Sequence, residues 1–200
     1  MRVFAAIDLP FAVRSELGRA VADFRAALLN LGGKDSSVRW VNPDGIHLTL
    51  KFLGEISESR VQQVTAALAK ASSFPSFEIE IRGFGFFPSS KKPRVFWAGI
   101  EAPPELRQLA SMVDEAMAGL GFPIEKQEYS PHLTLARFKT TPPQPALESI
   151  AKDHATRSFG RVEVDSFFLF ESRLAAGRPA EYRKLRAFPE AEGNCRQQMA

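Results

Sequence analysis

Cysteine and histidine are scarce in this chain. Of its 200 residues only Cys195 is a cysteine, so no internal disulfide can form, and a reducing cytoplasm is the expected compartment. No apolar run reaches the length of a signal peptide or a membrane span, and the opening stretch is cut short by Pro10; a soluble protein with no membrane partner is expected. Neither sign of charge dominates. Lys and Arg number 26 against 23 Asp and Glu, and they are spread along the chain, so a polyanionic partner is compatible with the pI near 9.2 but not demanded by it. With one cysteine and three histidines, all scattered, the ligands for a structural zinc site are missing. A two-histidine iron centre would want a carboxylate that no local motif supplies. The Gly83 to Phe87 stretch lacks the Lys-Ser/Thr ending of a phosphate-binding loop, and no Gly-x-Ser-x-Gly elbow is present.

Two of the three histidines lie in copies of one tetrapeptide, His47-Leu48-Thr49-Leu50 and His132-Leu133-Thr134-Leu135, 85 residues apart. Each copy falls in a stretch that reads as strand. Alternation then sends the histidine and threonine to one face and the leucines into a core. Each face would carry an imidazole that titrates near neutrality and a hydroxyl that can donate a hydrogen bond. Two such faces brought together make an acid/base cleft, in which one imidazole withdraws a proton while the other supplies one. That suits phosphodiester chemistry, with the threonine hydroxyls on the non-bridging oxygens and no metal or cofactor required. The third histidine, His154, reads as a solvated surface residue.

The chain reads as strand, helix, strand, helix, strand, given twice. Strands are expected at residues 2–8, 38–41, 47–54, 77–81, 94–100, 132–137, 162–170 and 182–188. Helices are expected at 11–31, 57–71 with Ser57 as cap, 103–119 and 146–153. Residues 83–93 read as a turn-rich loop. A duplication is inferred, predicting two similar lobes about an approximate two-fold axis. Residues 1–189 would form a single bilobal domain and 190–200 a polar C-terminal tail.

These motifs resemble those of the 2H phosphoesterase superfamily, named for two His-x-Thr-x motifs, and within it the bacterial and archaeal RNA 2′,3′-cyclic phosphodiesterases, also named LigT-like 2′-5′ RNA ligases. The resemblance extends to Arg2-Val3-Phe4-Ala5-Ala6-Ile7-Asp8-Leu9-Pro10, to His47 through Glu55, to Phe87-Pro88 leading into Pro93-Arg94-Val95-Phe96-Trp97-Ala98-Gly99, to Pro131 through Arg137, and to Glu171-Ser172 through Tyr182. It implies an α+β bilobal fold whose two antiparallel sheets flank a central cleft, with helices outside. It also implies hydrolysis of RNA 2′,3′-cyclic phosphate ends, tRNA fragments or cyclic nucleotides among them, to 2′-phosphomonoesters by a monomeric enzyme without cofactor or metal. By that resemblance His47 is the proton donor to the departing 3′ oxygen and His132 the proton acceptor from water. Thr49, Thr134 and Arg137 would bind the phosphate. Rival readings are a 2′-5′ or other cyclic-nucleotide phosphodiesterase, and a non-catalytic RNA-end binder.

Strict alternation puts Arg137 on the face opposite His132, so its reaching the cleft requires a bulge, a twist or the side chain's length. Lys51 has the parity of the first motif's face, although its position favours a solvated strand end. Phe87, Trp97 and Tyr182 are candidates for stacking on a base.

Overall fold

The computed structural model describes residues 1–173 and 180–189; the expected tail at 190–200 and Cys195 lie outside them. In chain order the elements are β1 (Arg2–Asp8), α1 (Phe11–Asn30), β2 (Val38–Trp40), β3 (His47–Glu55), α2 (Glu58–Lys70), β4 (Phe77–Phe87), β5 (Val95–Glu101), α3 (Pro104–Ala118), β6 (His132–Phe138), α4 (Gln144–Asp153), β7 (Ser158–Val164), β8 (Phe167–Arg173) and β9 (Glu181–Phe188). The fold is mixed α+β, as expected. Its strands form two antiparallel sheets, β3-β1-β8-β9 and β2-β6-β5-β4-β7.

The sheets are not the two halves of the chain. In each unit a first strand (β1 or β5) lies beside the strand carrying the tetrapeptide (β3 or β6), while the strand that would complete the unit crosses to the other sheet. Thus β4 pairs with β5, and β8 returns to pair with β1. The helices exchange too. Phe24 of α1 lies 4.8 Å from Phe96 of β5 and 6.4 Å from Phe86 of β4, on the second sheet, whereas α3 packs on β3 of the first.

Apolar spacing accounts for the covering faces. The buried stripe of α1 is Val13, Leu17, Ala20, Val21, Phe24 and Leu28, a 3.6-residue period. Ser57 caps α2 by accepting from the Arg60 N–H at 3.3 Å. On β1 every position from Val3 to Ile7 is buried. Val3, Ala5 and Ile7 enter the main core, while Phe4 and Ala6 join Phe170 on the opposite face, where Phe168 and Tyr182 pack against them. The first sheet therefore has a helix-covered face and an aromatic one.

Two segments depart from the sequence reading. Residues 83–87 continue β4, because the glycines there serve the sheet. Gly83 has φ +68° at a register shift, and a side chain at Gly85 would collide with the Trp97 indole, as close as 2.1 Å. The run 162–170 is two strands, since Asp165-Ser166 turns the chain between β7 and β8. His154 is half-buried, 5.1 Å from the Phe84 ring and 6.2 Å from Phe159, and packs where a solvated residue was expected.

Candidate active site

Register determines which side chains of the two motifs share a face. On β3, His47 pairs with Asp8 and Thr49 with Ala6, so both lie on the aromatic face of the first sheet. The partner of Ala5 is then Lys51, which leaves Leu50 as an extra residue, a β-bulge. On β6, His132 pairs with Gly99 and Thr134 with Trp97, after which Phe96 pairs with Ala136 and Leu135 is the extra residue. The second motif thus repeats the bulge of the first at the equivalent leucine.

Each bulge reverses parity beyond it. Arg137 consequently returns to the face of His132 and Thr134, which strict alternation had denied it. Lys51 is turned the other way, into the core at 3% exposure, where its ammonium meets the Asp114 carboxylate and donates to the Pro123 carbonyl at 2.8 Å. It is neither a cleft residue nor a solvated strand end. By the same count Phe52 occupies the place in the first motif that Arg137 holds in the second, and it is 64% exposed, 5.9 Å from the Phe4 ring. Sequence reasoning missed Phe52. The signal was available, since it follows His47 by the interval at which Arg137 follows His132.

Both imidazoles are anchored alike. His47 Nδ1 lies 2.8 Å from the Gly45 carbonyl and His132 Nδ1 lies 2.8 Å from the Ser130 carbonyl, in each case two residues upstream. A carbonyl only accepts, so each Nδ1 carries the proton and each Nε2 is left as the nitrogen that exchanges one. Each ring also has an aromatic edge against it. Tyr182 stands edge-on to His47 at 4.9 Å, and Phe87 stands edge-on to His132 at 5.1 Å.

The surroundings of His47 are the more enclosed. Phe4 lies 4.5 Å from its ring and Phe170 5.9 Å. Burial among these rings pushes the His47 pKa below the ordinary imidazole value; the Gly45 carbonyl and the Asp8 carboxylate oppose that shift without cancelling it. Asp8 itself is held by Arg14 at 2.9 Å and Lys184 at 2.6 Å. A recess of about 410 Å³ opens beside His47, lined by Asp8, Arg14, Ile46, Phe170, Tyr182 and Lys184, among others.

Arg137 bridges the two sheets electrostatically. Burial raises the pKa of the Tyr182 phenol, and the positive charges of Arg137 and Arg2 oppose that rise, so the charge on β6 is felt at the ring that stands against His47. The strands carrying the two motifs, β3 and β6, are themselves in contact. Of the three aromatic residues named from sequence, Tyr182 and Phe87 flank the two imidazoles, and Trp97 shares the face of Thr134. Among the described residues no group of three or more His, Cys, Asp or Glu side chains converges as a metal site would require, and no helix is long and apolar enough to cross a membrane.

Comparison with known proteins gives consistent matches over almost the whole chain. The family model described as the 2′-5′ RNA ligase superfamily matches residues 13–175. A protein of Archaeoglobus fulgidus named RNA 2′,3′-cyclic phosphodiesterase is 35% identical over 188 residues, covering 94% of this chain and 99% of that one. One of the same name from Thermotoga maritima is 32% identical and covers 90% of each. Among solved structures, TT0787 of Thermus thermophilus superposes with a TM-score of 0.75 at 29% identity, covering 94% of this chain and 97% of that one. Escherichia coli LigT complexed with 3′-AMP superposes with a TM-score of 0.71 at 27% identity, covering 94% and 96%. Family model, relatives and solved structures thus agree, and the chain belongs to the 2′-5′ RNA ligase superfamily.

Proposed function

We propose that this protein is an RNA 2′,3′-cyclic phosphodiesterase, opening the cyclic phosphate to a 2′-phosphomonoester. The observation that carries the reading is the matched pair of imidazoles, each with Nδ1 fixed to the carbonyl two residues upstream and Nε2 left for proton exchange. Relatives that bear the name RNA 2′,3′-cyclic phosphodiesterase over most of their length support it.

In the mechanism His132 Nε2 takes a proton from water as the water oxygen bonds to phosphorus. The P–O3′ bond breaks, and His47 Nε2 delivers its proton to O3′. The O2′–P bond survives, which makes the product a 2′-phosphate. Thr49 and Thr134 hydroxyls donate to non-bridging oxygens, and Arg137 offers the guanidinium fork that matches two of them. His47 must be charged to act as the acid, while burial disfavours its charged form. The phosphate anion supplies the opposing charge, so the imidazolium forms as substrate binds, and its low intrinsic pKa makes it a ready donor to O3′. The exposed Phe52 suits a stacked base.

With a 5′-hydroxyl in place of water the same groups in the same roles join it to a 2′,3′-cyclic end through a 2′-5′ linkage, His132 taking the hydroxyl proton and His47 protonating the departing O3′; the family's name supports this second activity. RNA with cyclic-phosphate ends, including tRNA fragments, and cyclic nucleotides are the substrates we assign, to a cytoplasmic monomer acting without metal. The test is turnover by His47→Ala and His132→Ala. Each loses a factor on the order of 10² or more with folding intact, and near-normal turnover in both would overturn the two-histidine mechanism.

A further inference from the structure

The chain between α3 and β6, residues 119–131, has no helix or strand, yet it ends at the carbonyl that orients His132. A segment without its own backbone ladder keeps its shape only if something else holds it. Two tethers to β3 do so. One is the buried Lys51 ammonium, which donates to the Pro123 carbonyl and pairs with Asp114, whose other oxygen accepts from the Glu125 N–H at 3.2 Å. The other is the Tyr129 hydroxyl, which donates to the Thr49 carbonyl at 2.9 Å.

That second contact has an unusual position. β3 is the edge strand of its sheet, so carbonyls along its outer side have no neighbouring strand to satisfy them. Tyr129 satisfies the one that belongs to the phosphate-binding threonine of the first motif. The residue after Tyr129 is Ser130, whose carbonyl fixes His132 Nδ1. A single run of bonds therefore joins the backbone of one motif to the imidazole of the other. Burial raises the Tyr129 pKa far above neutrality, so the phenol keeps its proton and remains a donor throughout the working range.

Resting on the two-histidine reading, we propose that Tyr129 is a positioning residue, a strut from the Thr49 carbonyl through Ser130 that sets the orientation and tautomer of His132 relative to the first motif. It touches no reacting atom. Its loss should therefore affect the chemical step and leave substrate binding almost unchanged.

The test is Tyr129→Phe, which keeps the ring and removes one oxygen. Expected are a fall in kcat of about tenfold and a KM within about twofold of wild type on a 2′,3′-cyclic nucleotide. Nitrogen NMR of the imidazoles supplies the readout that a purely structural role would not move. His132 should pass from a single Nδ1–H tautomer to a mixture, while His47, held by its own Gly45 carbonyl, should not change. Wild-type kcat with an unaltered His132 tautomer would overturn the strut, as would equal disturbance of both imidazoles. His132→Ala in the same assay separates the two ideas, because activity there refutes the acid/base reading while the NMR result still decides the strut. Should Tyr129→Phe fold poorly, Tyr129→Leu is read by the same spectra.

Discussion

His47 carries a pH signature set by its burial. Burial holds its native pKa below the 6.5 of the unfolded chain, so between those two values the unfolded state binds the extra proton. His47 therefore contributes stability that is complete above about pH 6.5 and is lost as the pH falls through the native pKa. Thermal melts across pH 5 to 8 should show wild type losing stability on acidification by more than His47→Asn does; parallel curves would contradict the assignment. Saturating 2′-AMP, an anion beside the imidazole, should raise the His47 pKa in an NMR titration. Arg137 is predicted to act on binding and transition state together. Arg137→Gln removes a charge-assisted fork worth about 1.5–3 kcal/mol, or roughly 10- to 100-fold in kcat/KM, and Arg137→Lys recovers only part of it because a point charge cannot reproduce the bidentate geometry. Full activity in Arg137→Gln would remove it from the site.

The strands show where a sequence stops being readable. His47, Thr49, His132 and Thr134 were legible because each pair spans one alternation and the motif occurs twice. Arg137, which the family resemblance named, and Lys51 could not be placed by alternation, because each lies beyond a bulge, and nothing in Leu50 or Leu135 as residue types announces that the backbone will insert an unpaired position there. Gly83 and Gly85 misled for a related reason. Glycine near proline signals a turn, whereas here Gly85 makes room for Trp97 within the sheet and Gly83 takes a positive φ against the Ala155 carbonyl. Tyr129 could not be found at all, since its role depends on β3 being an edge strand, which is a property of sheet order. The buried Lys51 gives this level its own prediction. Lys51→Met leaves Asp114 without its partner and should cost about 3–5 kcal/mol, while Lys51→Met combined with Asp114→Leu should recover much of that. Equal destabilisation by the single and double variants, followed by urea unfolding, would show that the pair is not coupled.

The exchange of strands between the two units bears on how the protein folds. The sheet that carries His47 needs β8 and β9 from the far end of the chain, and the sheet that carries His132 needs β4 and β2 from the near end. Neither unit can complete its sheet or cover it alone, as α1 lies on the second sheet and α3 on the first. A fragment of residues 1–102 should accordingly lack protected amides by hydrogen exchange; a cooperatively folded fragment would contradict this. The same exchange brings β3 and β6 into contact, placing two copies of one motif at a common junction. The helix positions were readable from periodicity and the α+β class from the family resemblance, but the crossing of β4 and β8 was not, because sequence order alone suggests two self-contained lobes. The assay that bears most directly on the proposed chemistry is to incubate 2′,3′-cyclic nucleotides with the protein in EDTA and separate the monophosphate isomers. Expected is 2′-phosphate, because proton delivery from His47 to O3′ would leave the bond to O2′ intact; 3′-phosphate as the product, or activity abolished by EDTA and restored by a divalent metal, would contradict the proposed chemistry.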